Sequence, residues 1–141
     1  MKVGFKILII TVLFSFQSCL ENNHADSCEE IACTEEFRTI VVKIENPAGE
    51  PIALDDFKVI HLGNQNDITR EFSASELEQM QATGTYPLFG DEFSDDIQNF
   101  QIDIQFIGII DGQEIVRSDY RVGADCCHVY HISGNLTLTI E

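Results

Sequence analysis

The sequence has few basic residues and lacks several features that mark whole classes of protein. Eight Lys and Arg stand against 24 Asp and Glu, a net charge of −16. Phosphate binding needs a basic footprint, so this balance argues against nucleic acid as a partner. Tryptophan is absent, and the chain contains neither internal repeats nor low-complexity tracts. No apolar run approaches the roughly 20 residues of a membrane-spanning helix.

Motifs that would name a reaction are missing as well. The chain has no C-x-x-C pair, no Gly-rich phosphate loop, no His-Glu metal motif and no Ser or Cys in the sequence context of a nucleophile. The four histidines, His24, His61, His128 and His131, are scattered along the chain. On a strand His128 and His131 face opposite sides, so they cannot chelate together. The sequence therefore predicts a protein that is not an enzyme.

The N-terminal stretch predicts export. Lys2 and Lys6 precede an uncharged apolar run over residues 7–16, and Gln17-Ser18-Cys19 follows. A basic start, a short apolar run and a small-residue exit are typical of a signal peptide. The cysteine at the exit makes the segment resemble a bacterial lipoprotein signal, which implies cleavage after Ser18 and a lipid on Cys19. The alternative is an ordinary secretory signal in which Cys19 is incidental.

Without residues 1–18 the chain keeps six Lys and Arg against 24 acidic residues, a net charge of −18. Such a charge repels anionic lipid headgroups and favours solubility, cations or basic partners. Residues 19–36 are polar and acidic without apolar periodicity, which predicts a lipidated tether. Residues 37–141 are long enough for one domain with its own core.

Alternating apolar and polar residues predict that this domain is built from strands. Four apolar residues alternate with three polar ones over residues 100–106, and Asp111-Gly112 predicts a tight hairpin turn. The segment Ser73-Ala-Ser-Glu76 is a capping box that predicts one short helix ending near Gly84. Further strands are expected over residues 37–45, 57–62, 68–72, 113–122, 126–132 and 136–140.

About seven strands with one short helix predict an all-β, antiparallel sandwich. An open αβ sandwich is the structural alternative. The run Thr39–Ile52 resembles the opening strand and Gly-x-Pro turn of carboxypeptidase-regulatory-like, transthyretin-like modules. The run Asp125-Cys-Cys-His-Val129, with Ser133-Gly134 after it, resembles the ending of small Bacteroidetes-type lipoproteins. These resemblances imply an immunoglobulin-like or transthyretin-like sandwich on an outer membrane, facing the periplasm or the cell surface, and they imply no activity.

The remaining four cysteines, Cys28, Cys33, Cys126 and Cys127, predict disulfides, because an exported chain meets an oxidising compartment. A bridge between neighbours is disfavoured by its geometry. We therefore expect Cys126 and Cys127 each to pair with one of Cys28 and Cys33, in either order. The alternatives are a metal site or a redox-active site formed by these cysteines with His128.

The acidic, aromatic segment over residues 86–96 is the candidate ligand site. Carboxylates can bind Ca²⁺, and aromatic rings beside carboxylates can bind a glycan or a peptide. No other cofactor is predicted. The alternative interpretation is a solvated acidic loop with aromatic rings that close the end of the sandwich. The candidate residues are Tyr86, Phe89, Asp91, Glu92, Phe93, Asp95 and Asp96.

Overall fold

The structure is a computed structural model that describes residues 28–141. The predicted signal peptide, Cys19 and His24 lie outside the described residues. Within residues 28–141, no helix is long and apolar enough to cross a bilayer.

The described chain is mostly β-structure, arranged in two sheets with one short α-helix. The strands are β1 (Thr39–Glu45), β2 (Asp56–His61), β3 (Asn66–Asp67), β4 (Thr85–Gly90), β5 (Gln101–Ile110), β6 (Gln113–Ala124), β7 (Val129–Ser133) and β8 (Thr137–Thr139). The helix α1 spans Ala74–Thr83, and short 3₁₀ helices span Cys28–Glu30 and Asp91–Ile97. One sheet has the order β4-β1-β8 and the other the order β3-β2-β5-β6-β7.

Apolar side chains from both sheets meet in one core, which follows from the alternation of the strands. Val42 and Ile44 of β1 and Ile104 and Phe106 of β5 are fully buried, while their neighbours along each strand are more exposed. Between the sheets, Tyr86 contacts Phe106 with ring centroids 6.3 Å apart. Burying such side chains is worth about 1.5–3 kcal/mol each, so this shared core is the main favourable term in folding.

Two local predictions are confirmed in detail. The Ser73 hydroxyl accepts from the Glu76 N–H, the Glu76 carboxylate accepts from the Ser73 N–H at 2.7 Å, and Gly84 ends the helix in the left-handed conformation. Asp111 and Gly112 both have positive φ, at 52° and 72°, as a tight hairpin turn requires.

Strand pairing departs from the prediction in one sheet. All neighbours are antiparallel except β1 and β8, which pair in parallel over residues 43–45 and 137–139. The segment Thr85–Gly90 forms a strand that is not among those predicted above, and it contains Pro87. The strand is at the edge of its sheet, where a residue without an N–H group is tolerated.

Two strand predictions are wrong, one because the strand is absent and the other because the strand begins later. Residues 68–72 form no strand, because the Thr69 hydroxyl accepts from the Val59 N–H at 2.8 Å where a backbone carbonyl would continue the ladder. Residues 126–128 form a turn, because the Asp125 carboxylate accepts from the N–H groups of Cys127 and His128, at 2.7 and 2.8 Å. The strand therefore begins at Val129.

Candidate functional site

Both disulfides lie at one end of the domain, which we call the disulfide end and define by residues 28–38, 91–100 and 123–128. Cys28 pairs with Cys126, and Cys33 pairs with Cys127; the Cα atoms of each pair are 5.3 Å apart. The predicted cross-linking of the two N-terminal cysteines to the two late ones is confirmed. The turn over residues 126–128, rather than a strand, presents the two neighbouring cysteines to the N-terminal segment.

The carboxylate of Asp91 is the polar centre of this end. Its Oδ2 accepts from the Arg38 N–H at 2.8 Å and lies 2.8 Å from the His128 Nδ1, while its Oδ1 accepts from the Val129 N–H at 2.8 Å. The Asp91 N–H donates to the Arg38 carbonyl at 2.9 Å. One nearly buried side chain therefore joins the segment before β1, the 3₁₀ helix and the start of β7.

The pKa of Asp91 is lowered by this environment. Burial acts to raise the pKa, but hydrogen bonds from His128, Val129 and Arg38 outweigh it. An ionised carboxylate can only accept hydrogen bonds, so the Nδ1 of His128 carries the proton that it shares with Asp91. The N–H groups of Cys127 and His128 likewise lower the pKa of Asp125.

The other ring nitrogen of His128 reaches the N-terminal segment. Its Nε2 lies 3.0 Å from the Thr34 Oγ1, next to the bridged Cys33. Thr34, His128 and Asp91 thus form a hydroxyl–imidazole–carboxylate series, the hydrogen-bond order by which some enzymes activate an alcohol. Here the same contacts fasten the N-terminal segment to the domain beside the second disulfide.

The sequence did not indicate this series. Thr34, Asp91 and His128 are far apart along the chain, and no spacing rule links them. Only the fold brings them together, because the segment before β1 lies beside the start of β7. His128 was singled out as a partner of the cysteines, whereas its observed partners are a carboxylate and a hydroxyl.

The residues predicted as a ligand site do not form one exposed surface. Tyr86 is fully buried, and its hydroxyl accepts from the Leu54 N–H at 2.7 Å and donates to the Ile52 carbonyl at 2.9 Å. Phe89 is buried and stacks on Phe93 with ring centroids 5.0 Å apart. Tyr86 and Phe89 thus belong to the core, and Phe93 packs against it.

The acidic residues of the same segment also separate. Asp91 is engaged with His128, whereas Glu92, Asp95 and Asp96 are exposed to solvent. Within residues 28–141, no three acidic, His or Cys side chains come close enough together to hold a metal ion. The four cysteine sulfurs are all used in bridges, so they cannot act as thiolate ligands while those bridges are intact.

Two open grooves cross the described surface. One of about 760 Å³ lies at the disulfide end and is lined by Ile31, Thr34, Arg38, Asn99, Cys126 and His128, among others. The other, of about 750 Å³, lies over the larger sheet, where the Asp103 carboxylate pairs with the Arg121 guanidinium at 2.8 Å. That guanidinium, through its hydrogen bonds, lowers the pKa of Asp103.

Comparison of the chain with protein-family models, curated proteins and solved structures found no match. Functional arguments for this chain therefore rest on its own residues.

Proposed function

We propose that this protein is exported, anchored to an outer membrane by a lipid on Cys19, and acts there as a non-catalytic interaction or structural module. The pairing of its cysteines carries this proposal. Of five cysteines, four form the two bridges, and the fifth is Cys19 at the end of the apolar leader.

The two bridges support export because disulfides persist in oxidising compartments and are rare in the cytosol. They account for all four cysteines of the described residues, and the remaining cysteine of the sequence is Cys19. A cysteine at the exit of a short apolar leader is the position that a bacterial lipoprotein signal lipidates. The leader is a feature of the sequence and the bridges are a feature of the structure, and both favour the same compartment.

Lipid attachment is tested by metabolic labelling with palmitate and by globomycin, which blocks lipoprotein signal cleavage. We expect the wild-type chain to incorporate label, Cys19→Ala to incorporate none, and globomycin to cause the precursor to accumulate. A matched Cys28→Ala/Cys126→Ala variant should still be labelled. Equal labelling of wild type and Cys19→Ala, or free thiols in the wild-type protein, would contradict the proposal.

In this proposal the two sheets form a β-sandwich of immunoglobulin-like or transthyretin-like type. The shared core between the sheets and the predominance of antiparallel pairs support the sandwich. The parallel pairing of β1 and β8 is the one exception among the strand pairs of residues 28–141.

The series Thr34–His128–Asp91 is assigned a structural role in this proposal, since its contacts tie three segments together. A fluorophosphonate probe, which reacts with activated hydroxyls, tests that assignment. We expect no labelling of the folded wild-type protein. Labelling that disappears in both Thr34→Val and His128→Gln, with the disulfides intact, would show a catalytic hydroxyl instead.

A further inference from the structure

Exposed apolar side chains are concentrated at the disulfide end. Phe100 is 71% exposed, Phe37 is 64% exposed and Ile31 is 51% exposed. Tyr130, at 40% exposure, follows at the start of β7. Single exposed apolar residues are ordinary on protein surfaces, but a cluster of large ones indicates an interaction site.

Strand pairing within each sheet and one contact between the sheets place these residues at the same end. The Asp91 carboxylate, just after β4, accepts from the Val129 N–H, at the start of β7 after β6. Thr39 pairs with Gly90 and Gln101 pairs with Gly123, so β1 and β5 begin where β4 and β6 finish. Phe37 lies two residues before β1, and Phe100 lies one residue before β5. The opposite end, which we define by residues 46–55, 84, 111–112 and 140–141, contains no exposed large apolar side chain.

The proposed anchor holds the disulfide end near the bilayer, a step that rests on the proposed function. Cys28 is bridged to Cys126, so the chain leaves the domain at this end. Cys28 comes nine positions after Cys19, and a fully extended chain of nine steps spans at most about 32 Å. The ten residues of β5 extend over roughly 33 Å, so the opposite end is held about one strand length farther away.

We propose that the disulfide end rests on the lipid bilayer, with Phe37, Phe100 and Ile31 inserted into its interfacial region. Aromatic and aliphatic side chains are favoured at that depth, and a second weak contact adds to the binding given by a lipid chain. Insertion removes from water the two most exposed phenylalanine rings of the described chain.

Charge at this end selects the kind of lipid. Glu29, Glu30, Glu35 and Glu36 are exposed beside the apolar residues, and Arg38 is paired with Glu36 at 3.4 Å. Carboxylates at the surface are repelled by anionic headgroups. The surface therefore fits zwitterionic lipids, such as phosphatidylcholine or phosphatidylethanolamine.

The absence of tryptophan allows a direct test. Phe37→Trp, Phe100→Trp and the control Gln113→Trp each place a single tryptophan in the lipidated protein, the control at an exposed position beside the opposite end. The proteins are reconstituted in phosphatidylcholine vesicles with and without brominated acyl chains, which quench tryptophan at membrane depth. We expect Phe37→Trp and Phe100→Trp to show blue-shifted emission and to lose most of it to brominated lipid, and Gln113→Trp to lose none.

Mass spectrometry of the N-terminal peptide separates the two proposals. With lipid present on Cys19, quenching of all three variants to the same small extent would overturn the bilayer contact and leave the anchor standing. A blue-shifted Phe100→Trp emission in native membranes but not in vesicles would also overturn the bilayer contact, since a protein partner would then cover this end. Absence of lipid would overturn both proposals. Weaker quenching when phosphatidylglycerol is added would support the role of the four glutamates, and stronger quenching would contradict it.

Discussion

The two ends of the domain are held together by different kinds of interaction. At the disulfide end, two covalent bridges and the carboxylate of Asp91 connect segments that are distant in sequence. At the opposite end, a neutral hydroxyl group connects segments that are distant in sequence. The Tyr86 hydroxyl bonds to the backbone of Ile52 and Leu54, and the Gln81 side chain donates to the Leu54 carbonyl at 2.8 Å.

This difference sets the conditions under which each end loses its structure. Bridges are sensitive to reductant, and an ionised carboxylate is sensitive to acid. A buried phenol is sensitive to neither over the range in which most proteins fold. The end that carries the proposed anchor and the bilayer contact is therefore the end whose order depends on the chemistry of its compartment.

Removing both bridges is expected to lower the free energy of unfolding more than any other change proposed below. The loops they close have sequence separations of 98 and 94 residues, and a loop of about 100 residues is worth roughly 4.7 kcal/mol in the chain-entropy model. Once one bridge is formed, the other closes a ring of only a few residues, worth less than the roughly 3 kcal/mol of a 15-residue loop. Urea unfolding of the variant with all four cysteines changed to serine should therefore show a loss well beyond that of either single pair.

The two single-pair variants, Cys28→Ser/Cys126→Ser and Cys33→Ser/Cys127→Ser, serve as matched controls. The two variants should lose similar amounts of unfolding free energy, because each keeps one long loop closed. A single-pair loss as large as the loss of both would mean that the bridges do not act through loop closure.

The bridges also show what the sequence could predict. Cysteine parity and export restrict the pairing to the N-terminal and late cysteines, because disulfide geometry disfavours a bridge between neighbours. The order of pairing depends on how the turn after β6 presents Cys126 and Cys127, and that turn is set by hydrogen bonds to Asp125. No spacing in the sequence contains that information.

The same division applies to the rest of the fold. Features fixed by a few neighbouring residues, such as the Ser73 capping box and the Asp111-Gly112 turn, were predicted correctly. The parallel pairing of β8 with β1 and the meeting of Thr34, Asp91 and His128 depend on contacts between distant segments. The burial of Tyr86 and Phe89 also depends on the fold, since aromatic residues beside acids are compatible with either a surface or a buried position.

Changing Asp91 to asparagine is expected to lower the free energy of unfolding by about 2–3 kcal/mol at neutral pH, the second-largest effect. The reason is that several hydrogen bonds to a nearly buried charged group are lost. The folded pKa of Asp91 is lowered, so its stabilisation is present above the unfolded pKa of about 3.9 and is lost as pH falls through the folded value. The difference between wild type and Asp91→Asn should therefore stay constant from pH 7 to about pH 5 and shrink as the pH falls from about 4 toward 3. Urea unfolding at a series of pH values measures it.

Asp95→Asn is the control for this variant, because Asp95 is exposed in the same 3₁₀ helix. It should change the unfolding free energy little at any pH. A difference for Asp91→Asn that stayed constant down to pH 3 would mean that the ionised carboxylate is not what holds the disulfide end.

Changing Tyr86 to phenylalanine tests the opposite end. It is expected to lower the free energy of unfolding by about 1–2 kcal/mol, because the Leu54 N–H and the Ile52 carbonyl each lose a hydrogen-bond partner. Burial raises the pKa of Tyr86, although the Leu54 N–H acts to lower it, so the phenol stays neutral throughout the acid range. The loss should therefore be the same at pH 7 and at pH 4, and the same with the bridges intact or removed. Tyr130→Phe is the control, because its ring is exposed, and it should leave the free energy of unfolding nearly unchanged.

A Tyr86→Phe loss of unfolding free energy that grew when the bridges were removed would show that the two ends are energetically coupled through the core. The two ends would then not be held independently by unlike interactions.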